Sequence, residues 1–413
     1  MTPSIFISAG EASGELYGAL LAASLSHFSP PKGEAAELWG MGGPRMAAAG
    51  VEIVVRSEDM AVMGFTEIVR HLPRIYREFR KLERAIRQRR PTIAILIDFP
   101  EIHFRLAQVF HRLGIPVIYF VSPQLWAWKP RRIRLVQRYV QRMLVIFPFE
   151  EKYYRDRGVD AEFVGHPLAD LPPPTITRQQ FAAENRLDPA RTWIGLLPGS
   201  RLKEIEANLP EMLDAVRSLL TPVPTRTHSL NGYEFVVPLA PTLDAAQRRV
   251  VLHMVEKLGS GLPVRLVDDA RAALFHARAS VVASGTATVE AALIGNPFVV
   301  VYRVSRLTYA IARRLVKVPH VAMANLIAGK RVLPELIQND FTAANIVQHL
   351  SQLLPDGPAR ESMMKELEAI REALHSHPAA GRGNDQGAIE TVAAIVAREI
   401  EAVYPAAQQA AQP

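Results

Sequence analysis

The sequence predicts two doubly wound α/β domains with a cleft between them. Short apolar runs alternate with stretches of helical periodicity, a proline-rich break falls near residue 170, and 413 residues exceed what a single domain usually holds. Runs with strand character lie at residues 5–8, 92–97, 117–120, 143–147 and 162–164 before the break. After it they lie at residues 193–197, 234–238, 264–267, 280–283 and 298–302. Helical periodicity fills intervening stretches such as 16–26, 102–113 and 133–142, so the strands should pair in parallel through βαβ crossovers. The break, Leu171-Pro-Pro-Pro-Thr-Ile-Thr, excludes both helix and central strand. The expected organisation is a first domain at residues 1–170, a linker at 171–190 and a second domain at 191–345. Helices at 346–413 then return to the first domain, with a break at 381–387 and a frayed tail at 406–413.

With 49% hydrophobic and 22% charged residues, the composition is that of a folded globular chain. There is no cysteine, which excludes disulfide scaffolds, thiolate metal sites and cysteine nucleophiles and suits a reducing compartment. The opening residues lack the basic and apolar regions of a secretory signal, and no window has the apolar length of a spanning helix. A cytoplasmic location is expected.

The net charge of +7 favours anionic partners. Residues 70–90 carry nine Lys/Arg against Glu78 and Glu83, with Leu72, Ile75, Tyr76, Phe79, Leu82 and Ile86 at helical spacing. Such a helix either packs its stripe on a sheet or lies on an anionic membrane surface, and the two are compatible if only part of the stripe is internal.

Ligands of open α/β sheets bind beyond the carboxyl ends of strands, which directs attention to the strand-to-helix turns. The first turn, Ser8-Ala-Gly-Glu-Ala-Ser-Gly-Glu15, lacks the dinucleotide fingerprint but brings Glu11 and Glu15 to a candidate site. The second begins at Asp98, directly after a buried strand, where an acid serves either as a base or as a helix cap. The third, Ser122-Pro-Gln-Leu-Trp-Ala-Trp128, opens a cationic run, and Trp126 and Trp128 there suit a lipid, a sugar or a packed corner. In the second half, Leu197-Pro-Gly-Ser-Arg201 sets an arginine at a helix start, where a phosphate would lie. Ser284, Gly285 and Thr286 can cap a helix and offer their N–H groups to a diphosphate, with Glu290 one turn on to accept from ribose hydroxyls.

Taken in order, these turns together with Phe147-Pro-Phe-Glu150, Gly165-His166 and Asn325-Leu-Ile-Ala-Gly329 resemble the lipid-A-disaccharide synthases from residue 5 to about residue 345. The resemblance implies a GT-B fold of two Rossmann-like domains, the second holding the nucleotide. It implies inverting transfer of 2,3-diacylglucosamine from its UDP donor to the 6-hydroxyl of 2,3-diacylglucosamine 1-phosphate. The product is the lipid A disaccharide 1-phosphate, made at the inner membrane surface. Asp98 and Glu11 are then the expected catalytic acids, and Arg201, Ser284, Gly285, Thr286, Glu290 and Asn325 the UDP-donor residues. Glu15, Trp126 and Trp128 belong to the acceptor and lipid side.

No Asp-x-Asp occurs, so neither a metal nor a cofactor is expected, and helix amides with Arg201 should meet the charge on departing UDP. The chain departs from the family pattern at Glu15, Phe99 and Glu101, where aspartate, a small residue and aspartate are expected. Anionic inner-membrane lipid is an expected partner and nucleic acid is not, because the acids at the turns would repel phosphate. A homodimer is left open. Two readings compete with this one: another GT-B-like UDP-sugar transferase or a UDP-sugar epimerase, and a non-catalytic membrane-surface binding protein.

Overall fold

The computed structural model describes residues 3–26, 36–60, 65–221, 232–305, 309–310, 318–375 and 387–409. Of the expected features, the break at 381–386 and the last residues of the tail, 410–413, lie outside the described residues, as does the side chain of Arg70. The chain divides into two compact units, one formed by Met1–Asp170 with Leu374–Pro413, the other by Leu171–Ala373.

The first unit is built on seven parallel strands: β1 (Ser4–Ala9), β2 (Glu37–Gly42), β3 (Glu52–Arg56), β4 (Ile93–Ile97), β5 (Val117–Phe120), β6 (Arg142–Val145) and β7 (Ala161–Phe163). Their spatial order is β3-β2-β1-β4-β5-β6-β7. All five residues of β4 are buried, as a parallel strand covered on both faces must be. The order reverses between β1 and β4, whose registers align Ala9 with Ile97, so both strands end side by side. That is the position where doubly wound sheets open a crevice for ligand.

Two of these strands escape a sequence reading. β2, Glu-Leu-Trp-Gly-Met-Gly, looks broken by its glycines. Gly40 is there because a Cβ would lie 2.0 Å from the carbonyl oxygen of Ile7 on the neighbouring strand. β3 lies close behind it, at the sheet edge.

The helix α4 (Phe65–Arg89) splits its apolar stripe along its length. Leu82 and Ile86 are buried, whereas Leu72 and Tyr76 are 50% and 66% exposed. Five of its cations already face carboxylates: Arg74 meets Asp59, Arg77 meets Glu78, Arg80 and Arg87 share the buried Glu83, and Arg89 meets Glu37 and Glu52. Among the described residues, no helix is long and apolar enough to cross a membrane.

The second unit repeats the plan with six parallel strands: β8 (Thr192–Leu197), β9 (Tyr233–Pro238), β10 (Val264–Val267), β11 (Ala279–Ala283), β12 (Phe298–Tyr302) and β13 (Glu335–Ile337). They are ordered β10-β9-β8-β11-β12-β13, with the reversal between β8 and β11. The stretch expected as a linker differs from that expectation. Residues 178–185 form a helix opened by the capping box of Thr177 and Gln180, and Phe181 and Ala182 join Trp193 and Val236 in the core of this unit. The terminal helices divide: Pro358–Leu374 falls almost wholly in the second unit and Ala388–Gln409 in the first. In the first unit, Gln141 donates to Glu399 and Asp170 caps the helix start by accepting from the Ala388 N–H.

Candidate active site

In the first unit the turns after β1 and β4 interlock. A Cβ on Gly10 would lie 2.2 Å from the ring of Phe99, so only glycine lets that ring cover the first turn. Asp98 and Phe99 both sit in the left-handed region, with φ of 53° and 50°. For residues other than glycine such a conformation persists only when the surroundings over-determine it.

Here the surroundings do. The Asp98 N–H donates to the carbonyl of Phe120, and the Asp98 carbonyl accepts from the Tyr119 hydroxyl and from His103 Nδ1, both at 2.6 Å. A carbonyl only accepts, so Nδ1 carries the hydrogen. Nε2 then accepts from the Ser8 hydroxyl at 2.8 Å. Burial pushes the His103 pKa down to about 3, which keeps the ring neutral.

Burial pushes the Asp98 carboxyl up to about 7, helped by the charges of Glu11 and Glu101 and opposed by the Phe99 N–H. Asp98 and Glu11 are thus brought together at the switch point, with the first poised to exchange a proton near neutrality. Glu101, by contrast, is held by Arg132 at 3.3 Å and Lys129 at 3.8 Å.

Glu15 has a different occupation from the one expected. Its Oε1 accepts from the Arg45 N–H at 2.8 Å in the first turn of a short helix, Pro44–Ala48, so this carboxylate is a helix cap.

Trp126 and Trp128 part company. Trp126 donates through Nε1 to Glu150 at 2.9 Å and meets Phe149 edge-on, while Trp128 is 39% exposed with Lys129 Nζ 3.8 Å from its ring centre. Glu150 is a residue the sequence reading quoted without a role. It is buried, pushed up to about 7 by that burial, and accepts also from the Ser122 hydroxyl and the Phe147 N–H. It therefore ties the tryptophan loop to the start of the next helix.

In the second unit, the turns after β8 and β11 flank the equivalent reversal. Arg201 is the N-cap of α9 (Leu202–Leu220), 45% exposed and 3.5 Å from Glu204. Gly199, with φ of 134°, leaves room for the Glu204 side chain, which a Cβ would meet at 2.6 Å.

Gly285, with φ of 152°, is the N-cap of α12 (Thr286–Ile294), and a Cβ there would meet nothing within 4 Å. Neither Ser284 nor Thr286 caps the helix with its side chain. Thr288 does the local work instead, donating through N–H and Oγ1 to the Gly285 carbonyl. The helix geometry leaves the N–H groups of Thr286 and Ala287 without an intrahelical acceptor.

Glu290 is the fifth residue of α12, beyond its first turn, and lies 3.5 Å from Arg271. Burial raises its pKa while Arg271 lowers it.

Asn325 is engaged within its own loop. Its Nδ2 donates to the Leu333 carbonyl and Glu335 Oε1, and its Oδ1 accepts from the N–H groups of Val332 and Leu333. Both donors and both lone pairs are taken up by that loop.

Two parallel α/β units wound in this order define the GT-B class of protein. A structure of MurG from Acinetobacter baumannii has that fold at a TM-score of 0.55 and 14% identity, covering 96% of this chain and 100% of that one. A UDP-GlcNAc 2-epimerase from Neisseria meningitidis, solved bound to UDP-GlcNAc, shares it equally, at a TM-score of 0.55 and 12% identity over 91% of this chain and 99% of that one. At such identities the likeness speaks for fold alone.

Sequence is decisive where fold is not. The lipid-A-disaccharide synthetase family matches residues 5–382, and the chain belongs to it. A lipid-A-disaccharide synthase from Acidobacterium capsulatum is 59% identical over 381 residues, which is 90% of this chain and 92% of that protein.

Proposed function

We propose that this chain is a lipid-A-disaccharide synthase. It transfers 2,3-diacylglucosamine from its UDP donor to the 6-hydroxyl of 2,3-diacylglucosamine 1-phosphate, releasing UDP. The observation that carries the reading is the pair of turns at the two strand-order reversals. One presents an acid with a pKa near 7 beside a second acid; at the other reversal one turn presents open helix amides and its neighbour an arginine.

Transfer with inversion is one displacement. Asp98 takes the proton of the acceptor hydroxyl as that oxygen bonds to the anomeric carbon, and the electron pair of the broken bond leaves on the diphosphate. Burial, reinforced by the charge of Glu11, keeps the Asp98 carboxyl protonatable near neutrality. Thr286 and Ala287 N–H groups and Arg201 receive the leaving charge, and Glu290 accepts from the ribose. The charge on the diphosphate grows as the bond breaks, so Arg201→Ala should lower kcat more than it weakens UDP binding.

The acyl chains require an approach to a membrane surface, and α4 suits it with exposed Leu72 and Tyr76. Its ion pairs reduce the electrostatic share. Lys81 and Arg84, which meet no carboxylate among the described residues, contribute about 1 kcal/mol each at an anionic surface. Trp128 beside Lys129 gives a second contact. Peripheral attachment to the inner membrane follows, tested by flotation with anionic liposomes at low and high salt.

The reaction is tested by supplying the UDP-diacylglucosamine donor with and without diacylglucosamine 1-phosphate. Acceptor-dependent UDP release with a disaccharide phosphate in the mass spectrum is expected. UDP release indifferent to the acceptor would reject the reading.

A further inference from the structure

We propose that His103, Ser8 and Tyr119 are positioning residues for the transfer, which hold the Asp98 turn so that its carboxylate stays beside Glu11. The inference rests on Asp98 being the base. It concerns three side chains that neither the family match nor the turn motifs assign.

The geometry takes one group from each strand beside β4. Ser8 comes from β1 and Tyr119 from β5, the two neighbours of β4 in the sheet, while His103 comes from α5 (Pro100–Arg112), which the turn leads into. All three are fully buried. The hydrogens run in one direction, from Ser8 Oγ to His103 Nε2 and from His103 Nδ1 to the Asp98 carbonyl, and Tyr119 adds a second donor to the same oxygen.

With its N–H on the Phe120 carbonyl as well, the backbone of Asp98 is fixed at both ends, and only the side-chain torsions stay free. Two consecutive left-handed residues other than glycine are a strained arrangement, so an unclamped turn would relax and carry the carboxylate with it. Because the ring is neutral, the clamp holds equally well throughout the working pH range.

A merely structural cluster would affect folding and leave the surviving enzyme's proton chemistry alone, which makes the two roles separable. The variants are Tyr119→Phe, which deletes one hydroxyl, His103→Leu, and His103→Asn, whose amide nitrogen can occupy the place of Nδ1. Measured on folded protein, with UDP affinity as the control, Tyr119→Phe and His103→Leu should lower kcat roughly 10- to 100-fold at unchanged donor KM. Both should also displace the acidic limb of kcat/KM toward the ordinary carboxylate range. His103→Asn should recover most of the rate and return the limb.

In an Asp98→Asn background the clamp substitutions should add little further loss. Wild-type kcat and an unmoved limb in Tyr119→Phe would overturn the proposal even if His103→Leu did not fold. Undiminished turnover by Asp98→Asn would instead remove the base assignment on which it rests.

Discussion

The two sheets share a strand order, and each puts its candidate residues where that order reverses, yet the turns built there are opposite in kind. After β4 the chain forces two residues other than glycine into left-handed conformations and spends two buried side chains holding one carbonyl and a third holding the histidine. After β11 it uses a glycine, keeps the space above it open, and leaves the neighbouring side chains to local work. On the proposed division of labour, the difference matches what each half would supply. Proton transfer needs a side chain with an altered pKa at a fixed place, so the turn must carry a carboxyl and be clamped. Holding a diphosphate needs backbone N–H groups and room, which glycine provides.

The comparison breaks most visibly at Asp98. Asp98→Asn should lower turnover about 10²- to 10⁴-fold while calorimetry finds UDP bound as tightly as before. A matching loss of UDP affinity would mean that the two halves do not divide the work in this way. The converse is Glu290→Ala, which should weaken UDP binding roughly tenfold to a hundredfold with turnover at saturating donor far less affected. Normal binding would leave Glu290 as the partner of Arg271 and no more.

Asn325→Ala sharpens the boundary of the nucleotide site. Opening four hydrogen bonds of a buried loop should cost about 1–3 kcal/mol in denaturant unfolding, without change in UDP affinity. Weaker binding at undiminished stability would return this residue to the donor site.

The smallest effect is on stability. A carboxyl raised to about 7 favours the folded state while protonated, so its contribution is lost as pH rises from the ordinary Asp range through 7. Asp98→Asn escapes that loss. It should melt above the wild type by about 2–4 °C at pH 8, with a smaller gain at pH 5. An equal gain at both pH values would show that the carboxyl is not strained.

Much of this was legible in the chain because buried parallel strands announce themselves. The strand ending before Asp98 is an uninterrupted apolar run, those ending at Leu197 and Ala283 are apolar but for Thr192, Gly195 and Ser280, and the residues after them could be nominated directly. β2 was hidden because its glycines read as breaks, although Gly40 exists to let two strands approach. The helix within the expected linker had a readable signal in Thr177 and Gln180, overshadowed by the preceding prolines.

The contacts that spacing did not foretell share a cause. Glu15 and Asn325 look available in one dimension, and their occupation depends on partners the spacing does not reveal, the Arg45 N–H in one case and the 332–335 loop in the other. The clamp on Asp98 was out of reach for the same reason, since two of its three side chains, Ser8 and Tyr119, come from strands far from the turn in sequence and brought to it only by the sheet.

The measurement closest to the central claim is the pH dependence of kcat/KM for acceptor-dependent UDP release, followed from pH 5.5 to 8.5. With Asp98 as a base pushed up to about 7, the rate should be level above that pH and fall by about tenfold per unit below it. A flat profile across that range, in an enzyme that remains folded and binds UDP throughout, would contradict the account.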